Sequence, residues 1–208
     1  MQLKNFVLAA SAAATAAALP SASSSSAIPS SAVPSTAPSA SASAAPLGQK
    51  PFNVLSIHSG DAVQYAAWNA AKGSLFAGLK SQNASCARPQ EQSATFYIQD
   101  GALFLYKTDF PTQEFYVDRS GMGQGKIGYT TGAQPTPRNS ERQGWAIDAN
   151  NHLQFAGKNL IACPNSIDGA YSIWASAGTN TPGYNKGCVG IAARVEQAKN
   201  PNACQYTQ

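Results

Sequence analysis

The chain has 208 residues, 43% hydrophobic and only 12% charged, with a formal net charge of +4. The basic residues are scattered, so there is no stripe able to neutralise a nucleic-acid backbone. With two histidines in all, a metal centre built on imidazole is excluded as well.

The N-terminus reads as a secretory signal. Lys4 supplies the positive start, residues 6–19 form an Ala-rich apolar stretch, and the small residues Ala16 and Ala18 place cleavage near Ala18. The stretch is shorter than the ~20 apolar residues a membrane-spanning helix needs. Residues 1–18 are therefore assigned to a signal peptide. The ending Asn202-Ala-Cys-Gln-Tyr-Thr-Gln208 lacks the hydrophobic tail of a lipid-anchor signal. The expected product is secreted, with no membrane attachment after cleavage.

Residues 19–49 are almost wholly Ser, Ala and Pro, with prolines at 20, 29, 34, 38 and 46. Such a segment cannot bury enough apolar area to offset its ordering entropy. It is expected to be a disordered or polyproline-like linker and a candidate for O-glycosylation, serving as a stalk, a passive spacer or a removed pro-segment. Every Trp, Tyr, Cys and acidic residue lies at or beyond Asp61, so residues 50–208 form the foldable domain.

Within that domain, short β-branched, aromatic or alternating runs predict strands at 52–58, 63–68, 74–79, 95–99, 103–107, 114–118, 126–130, 145–148, 152–155, 160–163, 171–175 and 188–195. Asp100-Gly101 is a strong hairpin signal, and Asn150-Asn151 plays the same part between Ile147 and Leu153. Ser120-Gly-Met-Gly-Gln-Gly125 is a looser turn. No window shows a helical period of useful length. Many strands at short spacing predict an all-β fold, a compact multi-stranded antiparallel sandwich or barrel. The stretches 96–104, 115–127 and 145–155 each run aromatic, aliphatic, turn, a faint repeat that would suit a trefoil-like arrangement of three hairpins.

Cys86, Cys163, Cys188 and Cys204 form an even set, which in a secreted chain reads as two disulfides with three possible pairings. Cys163 with Cys188 and Cys86 with Cys204 is the preferred pairing, because the second bridge would pin the C-terminal tail; the other two stay open. Asn83-Ala-Ser85 is an N-glycosylation sequon in a polar stretch that reads as a surface loop.

Candidate chemistry dissolves into scaffold on inspection. Asp100, Asp118 and Asp148 sit at strand ends, where Asp stabilises turns. His58-Ser-Gly-Asp61 holds three triad residue types too close along one extended chain to converge. His152 lies in a turn. Gly121-x-Gly123-x-Gly125-Lys126 resembles a phosphate loop but precedes a strand, not the helix such loops require. Trp68, Trp145, Trp174 and Tyr171 are expected in the core, while Tyr184 is the best aromatic for exposure. No catalytic, cofactor or metal residue is assigned.

Gly144-Trp-Ala-Ile147, Leu153-Gln-Phe155, Leu160-Ile-Ala-Cys163-Pro, Tyr171-Ser-Ile-Trp174, Cys188-Val-Gly-Ile191 and Cys204-Gln-Tyr-Thr207 resemble the fungal secreted cell wall proteins of the PhiA type. Met1-Gln-Leu-Lys-Asn-Phe6 and Phe52-Asn-Val-Leu-Ser-Ile57 are similar too, so the resemblance spans about residues 52–208. The four-cysteine ending is also similar to the C-terminal domain of Pir wall proteins, whose Gln-rich repeats are absent. The Ser/Ala/Pro stretch stands outside the PhiA pattern. The resemblance implies a secreted, non-enzymatic wall glycoprotein, structural or accessory to the wall and to spore-forming structures. The alternatives are a module binding wall polysaccharide, glucan or chitin, through exposed aromatics, and a glycoside-active enzyme with two carboxylates in a cleft.

Overall fold

The computed structural model describes residues 50–109 and 111–208. The signal peptide and linker assigned to residues 1–49 lie outside the described residues. Fifteen strands follow in order: β1 (Phe52–Ile57), β2 (Trp68–Ala71), β3 (Ser74–Ala77), β4 (Ser85–Cys86), β5 (Phe96–Gln99), β6 (Ala102–Leu105), β7 (Gln113–Asp118), β8 (Lys126–Thr131), β9 (Ser140–Glu141), β10 (Trp145–Ile147), β11 (His152–Phe155), β12 (Leu160–Cys163), β13 (Tyr171–Ala175), β14 (Val189–Gln197) and β15 (Cys204–Gln205). Among the described residues the only helical elements are two single 3-10 turns. The fold is all-β.

Nine strands close a circuit, β1-β5-β6-β7-β8-β3-β13-β12-β14 and back to β1, making a barrel-like antiparallel sheet. Closure follows from β1 pairing along its whole length with β14, from Phe52 opposite Gln197 to Ile57 opposite Ala192. A closed sheet leaves no long edge open to a second chain. Period-2 alternation sorts the faces. On β7, Gln113, Phe115 and Val117 point inward and are buried, while Glu114, Tyr116 and Asp118 point outward. The interior is an aromatic chain: Phe52, Phe96, Phe115, Trp145 and Phe155 meet in sequence, stacked, tilted or edge-on, with centroids 5.1–6.5 Å apart. Each such pair contributes about 0.5–1.5 kcal/mol of specific ring–ring geometry beyond the burial of its rings.

The structure corrects the sequence reading at three places. The strand expected at 63–68 is a series of turns instead: Tyr65 adopts φ +61° and is exposed, and Val63 is buried beneath it. The Tyr65 N–H donates to the Ser56 carbonyl at 2.8 Å, folding the segment back on β1. Strand structure resumes only at Trp68, in the fully buried β2. The two-residue strands β4, β9 and β15 carry no alternation a sequence could show. The three similar hairpins are not equivalent: β5–β6 and β7–β8 lie within the barrel circuit, whereas β10–β11 hangs outside it on β14.

Turn chemistry matches its sequence signals. Asp100 and Gly101 have φ +51° and +77°, the two left-handed residues of a tight hairpin. The Asp148 carboxylate accepts the N–H groups of Asn150 and His152 at 2.9 and 2.8 Å.

The C-terminus is strapped to the barrel. Cys204 pairs with Cys86 both as a ladder partner and through a disulfide spanning 118 residues. Beyond it, Tyr206 inserts into the core. The Gln113 side chain, fully buried, accepts the Tyr206 N–H at 2.9 Å and donates to its carbonyl at 2.9 Å, standing in for a strand neighbour. The Tyr129 hydroxyl donates to the Thr207 carbonyl. The second disulfide, Cys163–Cys188, ties the end of β12 to the start of β14.

Candidate surface groove

A groove of about 930 Å³ lies on the outer face of β5, β6 and β7. Its floor follows from the ladder register. Tyr97 lies opposite Phe104, and Phe104 opposite Glu114, so these outward residues form a row across three strands. The Tyr97 and Phe104 rings stack with centroids 5.0 Å apart and planes 13° from parallel. Burial, and then the neighbouring Glu114, push the Tyr97 phenol up.

One wall is the segment Glu141-Arg-Gln143, drawn in because β9 pairs with β7 and Gln143 bridges Ala102. Arg142 pairs with the Glu114 carboxylate at 2.8 Å and donates to Thr130 Oγ1 at 2.9 Å. Arg119 grips Glu141 with two hydrogen bonds of 2.8 and 2.7 Å. That grip holds the Glu141 carboxyl below the usual carboxylate range and keeps it ionised, an acceptor only. A glycoside-cleaving pair needs one carboxyl pushed the other way, so that it can donate a proton.

The residues weighed from sequence are dispersed. His58 Nδ1 meets the Gly190 carbonyl at 2.9 Å, while Asp61 accepts the Tyr171 hydroxyl at 2.5 Å. That bond lowers the Asp61 carboxyl and pushes the Tyr171 phenol up to about 12. The two groups therefore serve different partners, with Ser59 exposed between them. His152 lies beside Asp148, Nδ1 to Oδ2 3.7 Å. The glycine loop is a tight hairpin: a Cβ on Gly123 would run into the Asp118 carboxylate, and one on Gly125 into the Ala175 carbonyl. A carboxylate already inside the loop opposes phosphate. Lys126 turns away to Ser74 Oγ at 2.9 Å and lies 5.4 Å from the Trp174 ring centroid. Burial pushes its ammonium down.

Trp68 and Trp145 are core residues, Trp174 and Tyr171 are half-buried, and Tyr184 is 87% exposed. Asn83 is exposed, at φ +49°. All four cysteines are in disulfides. Among the described residues no three His, Cys, Asp or Glu cluster as a metal site would require.

The groove residues Tyr97, Phe104, Glu114 and Glu141 were absent from the sequence-derived candidates. One signal was legible: Phe96-Tyr97 are adjacent on a strand, so alternation must send one of the two aromatics outward. The convergence of Glu114 with Glu141 had no such signal, because it depends on β9 docking against β7.

Fold and site together define a disulfide-stapled antiparallel β-barrel with a shallow groove of stacked aromatics and ion-paired carboxylates. The family model described as "PhiA-like secreted protein" matches residues 52–207, and the chain belongs to that family. It is 62% identical over 207 residues to "Cell wall protein phiA" of Aspergillus niger, covering 100% of this chain and 99% of that one. The protein of the same name from Aspergillus fumigatus is 64% identical over 208 residues, 100% of both chains. That from Emericella nidulans is 65% identical over 164 residues, 78% of this chain and 90% of its own. The first two alignments also span residues 19–49, which lie outside the span of the family model. No solved structure matches the chain.

Proposed function

We propose that this secreted protein is a non-enzymatic structural glycoprotein of the fungal cell wall. The observation that carries the reading is the state of the groove carboxylates. Glu114 and Glu141 each lie against an arginine, and Glu141 is held ionised, opposite to what an acid catalyst requires. The relatives' name, cell wall protein, supports the location. A strapped, closed barrel suits a part that must persist outside the cell.

A second reading, binding of wall polysaccharide, is favoured by the Tyr97–Phe104 pair. Aromatic faces presented in a groove offer apolar sugar faces a platform, and the polar rim offers hydroxyl partners. Incubating the purified protein with insoluble glucan and chitin tests both. Retention without release of soluble sugar is the expected result. Sugar release that disappears in Glu141→Gln would overturn the non-enzymatic reading.

Asn83 is the expected N-glycan site, since its side chain is exposed in a secreted chain. Treatment with an N-glycosidase should increase gel mobility of the secreted protein. Asn83→Gln should run at the deglycosylated position before treatment; an unchanged shift in that variant would place the glycan elsewhere.

A further inference from the structure

Resting on the polysaccharide-binding reading, we propose that the groove selects a wall glycan bearing amino groups, a glucosamine-containing chain, over a neutral glucan. The argument is charge complementarity. The protein as a whole is basic, net +4, yet the groove inverts that sign: Asp100, Glu114 and Glu141 line it against Arg142. Glu114 and Glu141 are already matched by Arg142 and Arg119. Asp100 is not. It is exposed and, among the described residues, has no ion-pair partner within 4 Å.

The fold holds Asp100 in that position. It occupies the first left-handed place of the β5–β6 turn, and the Gly101 carbonyl beyond it accepts the N–H groups of Gly144 and Trp145 at 3.0 Å each. The turn is thereby tied down at one end of the groove, on the strand pair that carries Tyr97 and Phe104. A pyranose ring lying on Tyr97 and Phe104 leaves its substituents to reach the groove ends. An ammonium substituent gains Asp100 and also the attraction of a cation to the aromatic faces. A neutral hydroxyl gains only a hydrogen bond there, and an anionic sugar meets the unmatched Asp100 carboxylate.

The test uses the full secreted protein titrated calorimetrically with soluble oligomers of glucosamine, of N-acetylglucosamine and of β-linked glucose, at low and at physiological salt. Glucosamine oligomers should bind more tightly than both neutral series, and salt should narrow the gap. Asp100→Asn keeps a residue that tolerates positive φ. It should weaken glucosamine binding about two- to five-fold, the scale of one exposed ion pair, and leave neutral oligomers unchanged. Tyr97→Ala should lose about tenfold or more on every series, as for a central aromatic anchor. Equal or tighter binding of neutral glucan, or no effect of Asp100→Asn, overturns the amino-sugar inference and leaves the groove reading standing. Binding of every series unaffected by Tyr97→Ala, or no binding to any, overturns both.

Discussion

Replacing Cys86 and Cys204 together by serine should cost about 5 kcal/mol of stability on the chain-entropy scale. The bridge spans 118 residues, so its removal frees an unfolded chain closed over most of the domain. At about 2–4 °C per kcal/mol for a domain of this size, the melting temperature should fall by roughly 10–20 °C. The loss is also local. Cys204 sits on a two-residue strand paired with Ser85–Cys86, and without the bridge that short ladder rests on the contacts of Tyr206 and its neighbours alone. The tail that carries Tyr206 into the core should then fray. Serine at Cys163 and Cys188 is the internal comparison: that bridge spans 25 residues and should cost about 3.5 kcal/mol on the same scale. Its ends also remain paired through β12 and β14. Calorimetric melting of both double variants decides the matter. If the Cys163/Cys188 pair proves the costlier loss, the tail strap is not the main clamp.

Tyr206→Ala is the second large effect, expected at about 3–5 kcal/mol, the range for emptying a buried aromatic site. Tyr206 is 2% exposed, and its hydroxyl accepts the buried Thr95 N–H at 3.2 Å. The Gln113 amide, bonded both ways to the Tyr206 backbone, would also lose its fixed partner once the segment loosened. Tyr206→Phe separates packing from polarity: it keeps the ring but orphans the Thr95 N–H, for about 1–3 kcal/mol. Urea unfolding of the three proteins gives the ordering. The hydroxyl supplies a pH readout as well. Burial pushes the Tyr206 phenol up to about 12 in the folded protein, from 10.0. The folded state thus holds a proton that the unfolded state releases above about pH 10, so stability is full below that value and falls as pH rises toward 12. Tyr206→Phe should flatten part of that alkaline loss. An alkaline profile identical to that of the unmodified protein would show that Tyr206 is not the buried group responsible.

The all-β class, the positions of most strands and the chemistry of the turns were legible in the residues themselves. Phe52-Asn-Val-Leu-Ser-Ile57 and Gln113–Asp118 alternate because one face is buried, and that pattern is local. Asp100-Gly101 demands a hairpin because two left-handed residues cost little only with such side chains. By contrast, residues 63–67 misled. They read as the first part of a strand ending at Trp68, but the chain reverses direction there between β1 and β2, and Tyr65 takes positive φ to do so.

What the sequence determined by itself, then, was whatever depends on near neighbours: strand periodicity, turn type, the turn roles of Asp100 and Asp148, and the absence of any helical stripe in the domain. Only the tertiary structure decided the closure of β1 on β14, the choice among three cysteine pairings, the Gln113–Tyr206 clamp and the meeting of Glu114 with Glu141 around one groove. These contacts join residues from 25 to well over a hundred positions apart. Each forms only when several strands have already taken their register, because that register sets which distant side chains share a face.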